Sequence, residues 1–517
     1  MESLPLFIGL DIGTSRAKAI LLSRDGQIIA RTSYNYTSLV TPAGGKEQDG
    51  REWWTATVEM VRELADRAPA GSVIRALSFS TQGGSLVLTD RQGDPLAPAI
   101  IWQDQRGEPY ESIVTGGLPD DYIYRQTGWP LSKGLNLLQM LRLRETKPEL
   151  FRRAHYFLSV PDFLALKLTG RPAVDCSNAG INQLLDVHAQ DWDDNILGLL
   201  GIGRGSLADV AASGEVVGQL LPEVARDLHL PEQTLLVSGG HDQYCAALGA
   251  GAIHDRDRLI GTGTAWVLME ISRRLQVDPA DCKAFSRHTV KGLWGKLISL
   301  ESGGASLEWI RTALPILDDR NQALLPLAEL DSRIRQRLDN TDRPFFHPYL
   351  GSCSYPAGSP AAKASFTLLS AHHDRIDMAA AVLEGVAMQA SWTFEAFAGT
   401  DSAAAGLQAE ALTGSSSPAV LKAAPVIMTG GASASPVWRQ LLANCLNRPV
   451  AIPADPEVGC LGAAMLAGLG AGCYLDSDDA YSRLEKTVTI IEPDRQAGLT
   501  QERLAIFKRL QQALAHF

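Results

Sequence analysis

The run from Phe7 to Ala30, FIGLDIGTSRAKAILLSRDGQIIA, alternates short apolar bursts with polar breaks. Residues 6–12, LFIGLDI, predict a strand. Gly13-Thr14-Ser15 turns the chain, RAKAILLS returns, and the Asp25-Gly26 pair turns it again into QIIA, because both residues tolerate positive φ. This is an antiparallel meander. Helical periodicity follows in EWWTATVEMVRELADRA, then a buried-strand run, VIRALSFS, leads into TQGGS. LVLTDRQGDPL predicts a further hairpin, PDFLALKLTGR a short helix stopped by Gly170, and TLLVSGG a strand ending in glycines. Strands and helices alternate, which predicts an α/β protein.

A second meander begins at RDRLIGTGTAWVLMEIS, residues 256–272, where a strand again reaches a Gly-Thr turn (Gly261 to Thr264) and another strand returns. Two such units hint at an internal duplication with a cleft between the halves, and Gly249-Ala250-Gly251 marks the division. In the last third, DMAAAVLEGVAMQASWTFEAF carries Val382, Leu383, Val386 and Ala387 on one helical stripe. DSAAAGLQAEALTGSSSPAVLKAA has the small, polar composition of a surface excursion. VIMTGGASASPVWRQLLANCL predicts strand, glycine turn and helix, and GCLGAAMLAGLGAG a tightly packed helix of small residues.

The 517-residue chain is 45% hydrophobic and 20% charged, ordinary globular chemistry. Its formal net charge of −11 argues against a general nucleic-acid binder. MESLPLFIGL has no basic segment ahead of a long apolar run, so no signal peptide is expected. No run of about 18 apolar residues predicts a membrane span. The seven cysteines form no C-x-x-C and are read as reduced thiols of a cytoplasmic protein.

Candidate chemistry gathers at the glycine turns. The N–H groups of Gly13-Thr14-Ser15 and the two hydroxyls can hold phosphate oxygens. A carboxylate beside phosphates, Asp11, then requires a bridging cation such as Mg²⁺; the alternative is an ordinary hairpin whose Asp bonds to its own turn. In VSGGHDQYCAALGAG, Asp242 follows a buried strand at the start of a helix. It can accept a proton from an attacking sugar hydroxyl, or it can simply cap the helix. His241 is read as a packing or turn residue. GTGTAW (261–266), ESGGASLEW (301–309) and MTGGASASPVW (428–438) are strand–helix junctions one by one. Together they can shape a nucleotide pocket, with Gly263 or Thr264 near phosphates, Gly304 and Glu308 near base or ribose, and Gly431 and Ser435 under adenine. The phosphate-loop pattern G-x-x-x-x-G-K-[ST] is absent. Gln82, Trp102, Gln103, Asp104 and Arg106 offer the paired donors, acceptors and aromatic face that grip a polyol, unless they form a surface loop. Trp53 and Trp54 of EQDGREWW are core and helix-start residues, and HHD at 372–374 reads as a helix-entry loop rather than a metal site.

The order of these fragments, from about residue 6 to 475, resembles the FGGY carbohydrate kinases, and most of all their xylulokinase-like members. GLDIGTSRAKAILLSRDGQII, SFSTQGGSLVLTDRQGDPLAPAIIWQDQR, GGHDQYCAALGAG, GTGTAWVL and MTGGASASPVWRQLLANCLNRPVAIPADPEVGCLGAAMLAG follow in the family's order. The resemblance implies two actin-like ATPase (ribonuclease H-like) domains, 1–249 and 250–517, with sugar and ATP meeting in the cleft between them. It implies Mg²⁺-dependent transfer of the γ-phosphate to a sugar hydroxyl, most simply of a ketopentose such as D-xylulose. Ribulose, fuculose, erythritol or a similar polyol is the alternative, as is a non-catalytic sugar sensor. Residue by residue, Asp242 matches the general base and Asp11 the metal position. Thr14 matches the first phosphate turn, to which Ser15 adds its hydroxyl, and Thr262 and Gly263 match the second. Gly304, Glu308, Gly431 and Ser435 match nucleotide positions, and Asp104 the acidic residue of the W-N-D-G-R loop of xylulokinases; Gln82, Gly83 and Trp102 are the other sugar-side candidates. Where xylulokinases carry Met-His beside the sugar, this chain has Gln82-Gly83, and GGHD replaces GGGD. The expected partner is a small sugar or polyol, with no nucleic acid and no membrane, and a homodimer is the candidate assembly.

Overall fold

The computed structural model describes residues 4–278, 283–318, 323–351, 356, 362–398, 424–485 and 487–514. Residues 401–423 of the small, polar excursion, and Cys282 and Cys353, lie outside the described residues. The other five cysteines are free thiols, three of them buried. The chain divides into two compact units. The first comprises Met1–Arg256, Ile271–Lys296 and Glu457–Glu485; the second comprises Asp257–Glu270, Leu297–Pro456 and Lys486–Phe517. A division at 249/250 follows chain order, whereas the first unit also takes in two later segments.

The first unit is built on a six-stranded sheet in the order Val216–Gln219, Leu235–His241, Ser72–Thr81, Leu4–Ile12, Arg16–Ser23, Ile28–Asn35. Leu4–Ile12 pairs antiparallel with Arg16–Ser23 and parallel with Ser72–Thr81, which in turn runs parallel to Leu235–His241. Its two faces explain its nearly continuous apolar sequence. Leu6, Ile8, Leu10 and Ile12 join Trp53, Ala56 and Met60 of helix Gly50–Asp66 in one core cluster. Phe7, on the opposite face, joins Cys460, Ala464 and Ala467 of helix Val458–Gly470 in another. The two-residue period therefore assigns Gly9 and Asp11 to the face of helix Val458–Gly470. A Cβ on Gly9 would fall 2.0 Å from the Cys460 carbonyl oxygen, so only glycine permits this approach. At the Asp25-Gly26 turn only Gly26 takes a positive φ, 82°. Its missing Cβ also makes room for the backbone of Arg483 and Leu484.

In the sheet that carries the second unit's core, Trp266–Ser272, Arg258–Thr262, Val426–Thr429, Val450–Pro453 and Val488–Ile491 lie in that order. Arg258–Thr262 is antiparallel to Trp266–Ser272 and parallel to Val426–Thr429, which is parallel to Val450–Pro453. This repeats the succession hairpin, parallel strand, parallel strand of the first unit, so the duplication read from the two Gly-Thr meanders is present in the topology. The apolar stripe on helix Arg375–Ala398 is buried, with Val382, Leu383, Val386 and Ala387 each at most 1% exposed. The same helix buries Glu384 between Arg343 and Arg503, at 2.8 and 2.6 Å. Burial alone would raise its pKa, but the two guanidinium groups outweigh that and hold it below the ordinary value. Glu384→Ala would leave two buried cations unpaired. Its expected cost is about 3–5 kcal/mol, read from the midpoint of chemical denaturation; a midpoint equal to wild type would show that solvent reaches these guanidinium groups.

Candidate active site

Three parallel strands of the first unit end together. Register sets Asp11 beside Ser80, and Ser80 and Thr81 beside Gly240 and His241, so Asp11 and Asp242 flank the end of strand Ser72–Thr81. Two strand spacings put their backbones on the order of 10 Å apart. The carboxyl ends of parallel strands are where open α/β sheets take ligands.

Asp11 is half-buried. Its Oδ1 accepts a 2.6 Å hydrogen bond from the Ser80 hydroxyl on the neighbouring strand, so the carboxylate bonds to that strand rather than to its own turn. Gly459, near the start of helix Val458–Gly470, approaches so closely that a Cβ there would lie 3.2 Å from Asp11 Cγ. Burial pushes the Asp11 carboxyl up to about 6, and the Asp242 and Glu457 carboxylates act in the same direction. The Ser80 hydrogen bond and the Lys18 ammonium pull against them.

The turn after Asp11 is braced from below. Gln48, almost fully buried, donates from Nε2 to the Thr14 carbonyl and, at 3.0 Å, to the Ser38 hydroxyl. Its Oε1 accepts from Trp53 Nε1 at 3.0 Å and from Gln82 Nε2 at 2.9 Å. Tyr36 donates to the Gly13 carbonyl. Trp102 Nε1 donates to Thr14 Oγ1 at 3.2 Å, while Trp102 remains 41% exposed. The turn, the Gln82 ledge and the Trp102 face are thus tied through Gln48. Sequence reasoning passed over Gln48 for the two tryptophans that follow it; the signal was a lone amide ahead of the Asp49 cap of helix Gly50–Asp66.

Asp242 opens helix Asp242–Ala250 but does not cap it: the capping position is His241, and no side chain caps that end. The Asp242 side chain is 35% exposed, its Oδ1 is buried without a hydrogen-bond partner, and His241 Nε2 lies 3.2 Å from that oxygen. The strand end is fixed by a buried polar chain in which the His241 N–H donates to Ser177 Oγ at 2.9 Å. Asp175 accepts from Ser177 and Asn178, and Thr81 donates to Asn178 Oδ1 at 3.3 Å. None of Asp175, Ser177 and Asn178 had been singled out from the sequence.

On the ledge after strand Ser72–Thr81, Gln82 and Gly83 are buried, and Gln82 Oε1 has no hydrogen-bond partner. Asp104 does not fit the sugar-side role expected of it. It is fully buried, and its oxygens accept from the Arg106 side chain at 2.6–3.0 Å and from the backbone N–H of Arg106 and Lys46 at 2.9 Å. Burial alone would raise its pKa, but these donors hold it below the usual value. Asp104 is the brace of the WQDQR loop. Arg106 also pairs with Glu47 at 2.6 Å.

In the second unit, Gly263 and Thr264 are exposed at the turn between Arg258–Thr262 and Trp266–Ser272. The first helical turn of Gly303–Ala313 leans on it: the Gly304 and Ala305 N–H groups donate to the Gly263 and Thr264 carbonyls at 3.2 and 2.9 Å. A Cβ on Gly304 would fall 2.5 Å from the Gly263 oxygen. Thr262 is buried and its hydroxyl donates to the Thr429 carbonyl, so that side chain is spent inside the sheet and is not free for a phosphate. Gly431 is exposed next to Gly430, whose φ is 87°. Ser435 caps helix Pro436–Leu446, accepting from the Trp438 N–H at 3.1 Å. Glu308 is exposed and pairs with Arg311 at 3.2 Å. The loop at 372–374 leads into helix Arg375–Ala398: Asp374 accepts from the Ile376 and Asp377 N–H groups. His372, His373 and Asp342 do cluster. His373 Nδ1, however, accepts from the Ser370 N–H at 3.0 Å, which puts the ring proton on Nε2, facing the Asp342 carbonyl at 3.1 Å.

Residues 6–249 match the N-terminal domain, and residues 259–471 the C-terminal domain, of the FGGY family of carbohydrate kinases. The chain belongs to that family. It is 27% identical over 510 residues to a xylulose kinase of Escherichia coli (strain K12), covering 98% of this chain and 99% of that protein. It is 27% identical over 482 residues to a gluconokinase of Bacillus subtilis (strain 168), covering 92% and 89%. Among solved structures, a ligand-bound xylulose kinase from Lactobacillus acidophilus superposes with a TM-score of 0.84 at 23% identity, covering 99% of each chain. A gluconate kinase from the same organism gives 0.85 at 24% identity, again covering 99% of each chain. The fold is that of the FGGY kinases, and the chain is an ATP-dependent sugar kinase. Among the described residues, no helix of this FGGY kinase is long and apolar enough to cross a membrane.

Proposed function

We propose that this FGGY kinase phosphorylates a ketopentose such as D-xylulose, with Asp242 as the general base. The observation that carries the reading is the state of Asp242. It stands at the end of a parallel strand, part-exposed and uncapped, on the same sheet edge as Asp11 and the Gln82–Gly83 ledge. A carboxylate so placed can take the acceptor hydroxyl's proton as its oxygen attacks phosphorus. Gln82, whose buried Oε1 has no hydrogen-bond partner, is the candidate polar group for the sugar, and the exposed Trp102 the candidate aromatic face. The exposed Gly263–Thr264 turn with Gly304, and the Gly431–Ser435 turn, supply the nucleotide side.

Asp11 suits a Mg²⁺ ion: it is a hard oxygen donor whose proton affinity is raised by burial and, beyond that, by neighbouring acids, and a divalent cation would offset both. Bound there, the ion would offset charge on the phosphates; Ser80 would hold the carboxylate's orientation, and the Gly13–Ser15 turn would offer its N–H and hydroxyl donors.

Two relatives act on different substrate classes, a neutral ketose and an aldonate. An aldonate carboxylate calls for a cation, and Arg106, the cation of the WQDQR loop, is committed to Asp104 and Glu47. This favours the neutral sugar. The test is coupled ADP release over D-xylulose, D-ribulose, L-fuculose, erythritol, glycerol and D-gluconate. The highest kcat/KM is expected on a ketopentose. A preference for gluconate would overturn the substrate class, and a rate indifferent to every sugar would overturn the kinase assignment.

A further inference from the structure

The imidazole of His241 is enclosed: its side chain is 9% exposed, and it packs against Tyr244 with ring centroids 5.8 Å apart. It occupies the space that a side chain at position 83 would need. A Cβ on Gly83 would lie 2.6 Å from His241 Cδ2 and 2.9 Å from Nε2, so the imidazole at 241 depends on glycine at 83. The ring is held by its backbone, through the Ser177–Asp175 chain. Its Nε2 stands 3.2 Å from Asp242 Oδ1, the oxygen that is buried and without a hydrogen-bond partner. Asp242 is nonetheless one-third exposed, so its solvent face is the rest of the side chain, Oδ2 included.

We propose that His241 is a positioning residue for Asp242: the imidazole, seated over Gly83, holds Oδ1 inward and leaves Oδ2 to receive the acceptor hydroxyl's proton. This rests on Asp242 being the base. The 3.2 Å separation is off hydrogen-bond geometry in the free protein, and such contacts tighten when substrate is bound. A ring that only filled space would be replaced without loss by an apolar side chain of similar volume. A ring that orients a carboxylate needs its N–H.

The experiment is a double-mutant cycle with D-xylulose or the best substrate of the panel. His241→Leu keeps bulk without a donor, whereas His241→Gln returns an N–H near the position of Nε2. His241→Leu should lower kcat about ten-fold, the scale of a hydrogen bond to a charged group, with KM for ATP unchanged. His241→Gln should recover most of that loss. In an Asp242→Asn background, His241→Leu should cost nothing further. Equal activity of the Leu and Gln variants would overturn the proposal, as would a ten-fold cost that persists in the Asp242→Asn background. If His241→Leu does not fold, His241→Met, which likewise keeps bulk without an N–H donor, takes its place in the cycle with the same expectations. Failure of the base assignment reads out separately, as Asp242→Asn alone keeping more than about a tenth of wild-type turnover.

Discussion

Asp242→Asn is expected to lower kcat by roughly 10²–10⁴, the range contributed by a positioned general base, and to leave ATP affinity at the wild-type level. Asparagine keeps the size and planarity of the side chain and removes its ability to take a proton. Asp242 caps no helix end, so little stability depends on its charge. The melting temperature should therefore stay close to wild type while turnover falls. Nucleotide affinity is the informative control, because the proposed nucleotide-side turns at Gly263 and Gly431 lie in the other compact unit. A variant keeping more than about a tenth of wild-type turnover would remove Asp242 from the proton-transfer role. Equal losses in ATP affinity and turnover would make it a binding group instead.

The strands and helices that carry this site were legible because their signals are local. Phe7 and Gly9 alternate with Leu6, Ile8 and Leu10, and that two-residue period assigns faces before any partner is known. Gly170 ends its helix in a left-handed conformation, φ 75°, as its position after PDFLALKLT implies. The membership of the compact units was not legible in the same way. Segment 457–485 joins the first unit through contacts with residues hundreds of positions earlier, as where Gly9 meets Cys460, and segment 271–296 through residues such as Trp129, 157 positions before its partner Ser286; no local pattern encodes a partner at such distances. The small-residue composition of GCLGAAMLAGLGAG announced close packing but not against what.

In the site, the residue types were legible and their engagements were not. Asp11 and Asp242 each admitted a bland reading, a hairpin bond and a helix cap, and only register and capping geometry exclude these. Asp104 looked available because its neighbours in sequence are polar, and Thr262 because it stands in the Gly-Thr turn that resembles the family's second phosphate turn. Whether a buried polar atom is free depends on Arg106 in one case and the Thr429 carbonyl in the other. Glu308 lies on an exposed helix face, where its partner is Arg311 three residues on. The coupling of His241 to Gly83 is likewise a matter of space between two strand ends, visible only once the strands are paired.

Gly462→Ala is expected to damage stability and catalysis together. A Cβ at 462 would fall 2.0 Å from the Cys245 carbonyl oxygen, and one at Gly249 equally close to the Val458 oxygen. Helices Asp242–Ala250 and Val458–Gly470 therefore cross backbone to backbone, and neither obstacle is a side chain that can swing aside. Accommodating one methyl group must move a helix by something on the order of 1 Å, at a cost of about 1–3 kcal/mol in stability. One helix begins with Asp242, and the other begins where Gly459 meets Asp11, so either displacement shifts one of the two carboxylates. Misplacement by about 1 Å can reduce turnover 10²-fold. Gly498→Ala is the matched control: it lies in helix Ala497–Leu514, its added Cβ meets nothing within 4 Å, and it should melt at or slightly above wild type with full activity. Wild-type melting and turnover for Gly462→Ala would mean that the two helices do not approach this closely, and the placement of both carboxylates would lose its support.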